Sequence, residues 1–182
     1  MKTIAMTGLF ALVLVSGAMG QDVPMAPEPT KEHQWLAQFA GEWVTDSEIM
    51  MEPGKPAIKC KGTESARSIG GYWMVSESKC RFMDTPMNGI MTLGYDATKK
   101  KFIGTFVCSM CDHLWKYEGT LDESGKILTL EAEGPSRTTP GKFAKYRDVV
   151  EIKSKDHRVI TSSMLTEDGK WVSFMTMNAR RK

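Results

Sequence analysis

The chain has 182 residues, with 24 Lys and Arg against 22 Asp and Glu and a net charge of +2 at pH 7. The signs are interspersed, so there is no electrostatic case for nucleic acid or an anionic membrane as partner. The length suits one domain that buries its own core.

Lys2, the apolar run from Leu9 to Val15 and the small-x-small Ala18-Met19-Gly20 follow the order of a secretory signal peptide over residues 1–20. The apolar run is too short to span a bilayer, and no later stretch is long enough. No Cys stands at the cleavage point to take a lipid. The expected product is an exported protein, periplasmic or secreted, cut near Gly20. Residues 21–29 contain Pro24, Pro27 and Pro29 and read as an extended tether, leaving 30–182 as the domain.

Thr30 is the expected N-cap of a short helix over 30–40. Trp35, Leu36, Phe39 and Ala40 give it one apolar stripe. A helix that short must pack on something to persist, and Gly41 ends it. Beyond Gly41 the period becomes two. Strands are predicted at 42–50, 57–68, 71–82, 88–95, 101–108, 112–121, 126–133, 142–153, 157–166 and 170–180. Turn residues separate them, as at Pro53-Gly54, Gly70-Gly71, Asp122 to Lys126 and Asp168-Gly169. No helix intervenes, so the fold class is all-β. Connections this short favour a single antiparallel up-and-down barrel of about ten strands, because closure removes the exposed edges. The helix would plug one end. The loops Met51 to Pro56, Met83 to Met87, Ser109-Met110 and Pro135 to Pro140 would frame the other as a mouth.

Folding strands two and three back at Gly70-Gly71 sets Cys60 opposite Cys80, within reach of a disulfide in an oxidising compartment; two unpaired core residues are the alternative. Cys108-Ser109-Met110-Cys111 is a Cys-x-x-Cys at a hairpin tip. Thioredoxin-like use needs a helix N-terminus, which is missing, and covalent haem needs a His directly after Cys111, where Asp112 stands. A structural disulfide or free thiols is expected there. Met50, Met51, Met83, Met87 and Met110 fall at the same end as Cys108, Cys111 and His113, a soft donor set suited to Cu(I); adaptable apolar filling explains them as well. His113, Trp115 and Tyr117 alternate on one strand, and Tyr146 and Asp148 share the more apolar face of another. These five are the candidate ligand-binding residues. An inward Asp148 needs a partner. Arg67 and Glu77 are a further candidate pair on one face.

Gly41-Glu42-Trp43, Gly71-Tyr72-Trp73 with Ser76-Glu77, Leu93-Gly94-Tyr95-Asp96, Tyr117-Glu118-Gly119, Tyr146-Arg147-Asp148 and Ser162-Ser163-Met164 together resemble the bacterial domain of unknown function 1579 family, over roughly 30 to 181. That family carries no assigned activity. The Gly-x-Trp and the terminal arginines also resemble the calycin barrels, namely lipocalins, fatty-acid-binding proteins and nitrobindin-like haem proteins. The resemblance implies that an Arg from the last strand packs across the first-strand Trp, which assigns Trp43 and Arg180 to barrel closure. Haem is not expected, because Met177-Asn178-Ala179-Arg180 offers no axial His where the nitrobindin-like proteins have one.

No catalytic triad order, paired carboxylates, phosphate loop or zinc-spaced His set stands out, so no catalytic residue and no cofactor is assigned. The expected function is binding of a small apolar molecule in the barrel interior. An enzyme using His113, Tyr117 and Asp148 for acid–base work is one alternative. A Cu(I)-binding or pocketless interaction module is another.

Overall fold

Residues facing inward alternate with residues facing solvent along every strand, and that alternation lets the chain close on itself. The computed structural model describes residues 27–52 and 54–182. The expected signal peptide and most of the expected tether lie outside the described residues. A six-residue helix, α1 (Lys31–Leu36), continues into a single 3-10 turn (Ala37–Phe39). Ten strands follow: β1 (Gly41–Ile49), β2 (Ile58–Ile69), β3 (Trp73–Phe82), β4 (Thr85–Asp96), β5 (Lys101–Cys108), β6 (Trp115–Leu121), β7 (Ile127–Pro135), β8 (Phe143–Ser154), β9 (His157–Leu165) and β10 (Trp171–Arg181). Each pairs antiparallel with its chain neighbours, and β1 pairs with β10, so the sheet is a closed barrel.

Thr30 is the N-cap residue, with its hydroxyl on Glu32 Oε2 at 2.8 Å and its N–H donated to His33 Nδ1 at 3.1 Å. Leu36 and Phe39 then press into the core beside Ala66, Met74, Leu93, Phe102, Leu128 and Val150. The Trp35 indole N–H reaches the Gly125 carbonyl in the β6–β7 turn at 2.8 Å, and His33 meets Tyr72 and Tyr95 edge-on. The helix therefore stoppers the end at which β1 begins. Burying its apolar stripe is what holds so short a helix together.

Most boundaries shift by a residue or two, and three of the differences from the sequence reading move a candidate residue or a mouth loop, each for a local reason. The β2–β3 connection is Gly70-Gly71-Tyr72, three residues rather than two, which aligns Ile69 with Trp73 and Gly62 with Cys80. Cys60 is thus two residues out of register with Cys80. Both are free thiols, and the Cys60 S–H donates to the Arg81 carbonyl at 3.2 Å. Strand β4 starts at Thr85, because Met83 and Asp84 adopt positive φ (46° and 68°) and turn the chain in two residues. Strand β6 starts only at Trp115, which leaves His113 on the preceding loop. Arg67 and Glu77 do share a face, the solvent-exposed one.

Candidate functional site

At the stoppered end the closure is built on Trp43, which is 2% exposed and donates its indole N–H to the Phe39 carbonyl at 2.8 Å. Two guanidinium groups stack on its ring, Arg158 at 4.1 Å and Arg181 at 4.3 Å from the centroid. The latch is Arg181 and not Arg180, because the β1–β10 register places Trp43 opposite Arg181 and turns Arg180 out to solvent. Arg181 also donates to the carbonyls of Ala40 (2.7 Å) and Gln38 (3.0 Å) and pairs with Asp156 at 3.2 Å. Gly41 is required beneath it: its φ is +124°, and a Cβ there would strike the Arg181 guanidinium.

Arg158 is the inner of the two cations and the more demanding. It is 4% exposed and pairs with Glu64, 8% exposed, through Nη2 to Oε1 at 2.7 Å. Burial pulls its pKa down, with Glu64 opposing that shift and Arg181 adding to it. Its other terminal nitrogen, Nη1, is buried and has no hydrogen-bond partner among the described residues. This pair was not anticipated from sequence. The available signal was a charged residue at an inward position of each strand, Glu64 between Gly62 and Ala66, and Arg158 before Ile160.

Further along the interior, Asp148 on β8 stands directly opposite Ser162 on β9, and Tyr117 reaches them from β6. Asp148 is enclosed by neighbouring strands but keeps partial contact with solvent. Burial raises its pKa, while the neighbouring Ser162 and Tyr117 hydroxyls pull it back. Tyr117 is pushed well above the ordinary phenol range, by burial first and then by Asp148. Two of the five candidate residues, Tyr117 and Asp148, are thus brought together with Ser162.

The other three meet nearer the mouth, in a chain of edge-on aromatic contacts. His113 lies 4.9 Å from Trp115 and 5.6 Å from Phe143, Trp115 lies 4.8 Å from Tyr146, and Tyr146 lies 6.0 Å from Phe174. The Tyr146 hydroxyl donates to the Pro135 carbonyl at 2.6 Å. His113 Nε2 bonds to the Glu133 carbonyl at 3.0 Å, which commits it to the rim and not to Tyr117 or Asp148. The arrangement required for His113, Tyr117 and Asp148 to act as one acid–base set is therefore not formed. Of the mouth methionines, Met50, Met51, Met83 and Met110 are exposed, and Met51 Sδ accepts from Arg137 at 3.8 Å. Among the described residues no group of three or more His, Cys, Asp or Glu is gathered for a metal ion.

The interior is sealed at one end and accessible towards the other. Next to the helix, Trp43, Ala66, Met74, Leu93, Phe102, Leu128, Val150 and Ala179 are all buried. Towards the mouth, the inward-facing Ser78, Met91, Phe106, Trp115, Met175 and Met177 stay half-buried and touch solvent. The wall also parts on one side. Strands β6 and β7 pair only from Glu118–Glu131 to Leu121–Leu128, and the mouthward halves separate. An open groove of about 690 Å³ lies there, lined by His113, Leu114, Lys116, Glu118, Glu131 and Glu133 among others.

The Asp148 environment has a consequence for stability. Folding raises the Asp148 pKa above its free value of 3.8. The contribution is fully favourable below that value and falls as pH rises towards the folded pKa, at up to about 1.4 kcal/mol per pH unit. Asp148→Asn removes that fall. Urea unfolding should find the variant gaining on the wild type between pH 4 and pH 7. An equal loss at both pH values would mean that Asp148 is instead charged and paired in the fold.

A ten-stranded antiparallel cylinder, stoppered at one end and holding a polar group midway along its bore, places the protein in the class of closed up-and-down β-barrels. The chain belongs to the family described as protein of unknown function (DUF1579), whose model matches residues 28–181. No curated protein matches it in sequence. The crystal structure of Rv2717c from M. tuberculosis is similar, with a TM-score of 0.60 and 11% identity, covering 85% of this chain and 99% of that one. A redesigned β-barrel, mFAP0, bound to DFHBI, has a TM-score of 0.45 and 11% identity, covering 79% of this chain and 99% of that one. The first of these likenesses bears on the fold.

Proposed function

We propose that the protein is an exported carrier or sensor that takes one small, mostly apolar molecule into the mouthward half of the barrel. Export rests on Lys2, the Leu9-to-Val15 run and Ala18-Met19-Gly20. The observation that carries the binding reading is the gradient along the bore. Most inward side chains packed against the helix are buried, whereas Met91, Phe106, Trp115, Met175 and Met177 towards the mouth are half-buried and present apolar surface beside the buried Ala132, Tyr146 and Met164. Ligand sites of this kind are mostly apolar, with a few convergent polar groups that fix orientation. Tyr117, Asp148 and Ser162 supply those groups, so the molecule they suit carries one hydroxyl or carbonyl at its inner end. Trp115 and Tyr146 flank its path at the rim.

Native mass spectrometry of the protein as purified, followed by titration with an apolar environment-sensitive fluorophore, tests the reading. The expected result is uptake of one molecule per chain. Affinity should fall about tenfold in Asp148→Asn and Tyr117→Phe, the loss of about 1.4 kcal/mol that one buried hydrogen bond represents. A wild-type barrel that neither carries nor takes up any probe would overturn it.

A further inference from the structure

We propose that Cys108 and Cys111 form a reversible dithiol–disulfide couple on the barrel rim, exchanging with small-molecule or protein disulfides. The two sit on the β5–β6 connection, Cys108 as the last residue of β5 and Cys111 three residues on in the loop. Their sulfurs lie 3.0 Å apart and are not bonded to each other. A turn brings them together: the Cys111 N–H donates to the Cys108 carbonyl at 3.4 Å. The turn is pinned to β4, with the Ser109 N–H on the Asn88 carbonyl at 2.8 Å and the Asn88 N–H on Ser109 Oγ at 3.1 Å. Cys111 is exposed and Cys108 half-buried, so a partner reaches Cys111 first.

Reactive Cys-x-x-Cys pairs ordinarily draw thiolate character from a helix N-terminus, and none follows here. Local contacts take its place. Partial burial pushes the Cys111 thiol up, but the neighbouring Cys108 thiol, the Cys108 and His113 backbone and Trp115 outweigh it and leave Cys111 below the ordinary thiol value. Cys108 is shifted the other way, by burial and by its bond to Cys111. Cys111, the exposed sulfur, is placed to attack, and Cys108, half-buried 3.0 Å away, is placed to resolve. Cys60 and Cys80 provide the contrast: Cys60 is buried, and burial together with Cys60 pushes the Cys80 thiol up to about 12.

The exchange balances as follows. The Cys111 thiolate attacks one sulfur of a disulfide RSSR, forming a Cys111–S–S–R bond and releasing RS⁻. The Cys108 sulfur, losing its proton, then attacks Cys111 Sγ, closes the Cys108–Cys111 bond and releases the second RS⁻. The two thiol protons end on the two released thiolates. The protein dithiol is oxidised and the disulfide is reduced to two RSH; excess dithiol runs the sequence backwards.

The full chain, equilibrated in buffers of reduced and oxidised glutathione, quenched by alkylation and mapped by peptide mass spectrometry, tests the proposal. The expected product is a Cys108–Cys111 disulfide that dithiothreitol fully reverses in the folded protein, while Cys60 and Cys80 remain thiols. Cys108→Ser should accumulate glutathione on Cys111, and Cys111→Ser should slow capture at Cys108 by about tenfold or more. Three results would each overturn the proposal: no exchange at either cysteine in the native protein, a bridge that resists excess dithiol without unfolding, or equal capture rates in the two serine variants.

Discussion

Trp43→Ala is expected to lower the stability of the barrel by about 3–5 kcal/mol, as large aromatic truncations in a core do. The expectation rests on three separate losses at one residue. The indole is fully buried, its N–H satisfies the Phe39 carbonyl, and its ring carries the Arg158 and Arg181 guanidinium groups. Trp43→Phe keeps a ring for the cations and forfeits the hydrogen bond, which should cost about 1–3 kcal/mol by leaving the carbonyl unpaired. Thermal unfolding of the two variants separates packing from hydrogen bonding. If Trp43→Ala unfolds at the wild-type midpoint, closure does not depend on this latch.

Glu64→Ala should cost a similar amount, about 3–5 kcal/mol, for a different reason. Arg158 would keep its charge in a place where solvent cannot reach it, with the one carboxylate that pairs with it among the described residues removed. Its Nη1 already lacks a partner, so nothing nearby stands ready to take over. Removing both charges together should behave otherwise. A Glu64→Leu, Arg158→Met double variant should recover most of the loss or exceed the wild type, because well-packed apolar residues often replace a buried ion pair without penalty. Urea denaturation of the single and double variants provides the comparison. A Glu64→Ala protein within about 1 kcal/mol of wild type would show that the ion pair contributes little to the fold.

Most of the architecture is legible in the chain, because period-two alternation and turn residues act locally and each strand pairs with its neighbour. The helix is equally plain, since Leu36 and Phe39 need a core to cover them. Register is where local reading fails. Whether the β2–β3 turn spans two residues or three decides whether Cys60 faces Cys80, and Gly70-Gly71 does not say that Tyr72 belongs to it. Whether Arg180 or Arg181 meets Trp43 is set by the β1–β10 register, which pairs segments from opposite ends of the domain. The candidate site shows the same division. Tyr117 and Asp148 face inward as alternation predicts, whereas His113 fails because its strand begins two residues later. Glu64 and Arg158 are 94 residues apart, and only the closed cylinder brings them together.

The topology also bears on how the molecule assembles. Nine of the ten strand pairings join consecutive segments, and each could form as a hairpin soon after its own residues are free. The tenth, between Trp43 and Arg181, must bring together almost the whole length of the domain. The entropy lost in joining distant points rises with the intervening chain, and topologies rich in remote pairings fold slowly. The meander should therefore form first as a curled ribbon with two raw margins, and shutting it should be the slow event. Arg181 is the residue that secures that last step, because it grips the Gln38 and Ala40 carbonyls as β10 arrives beside β1.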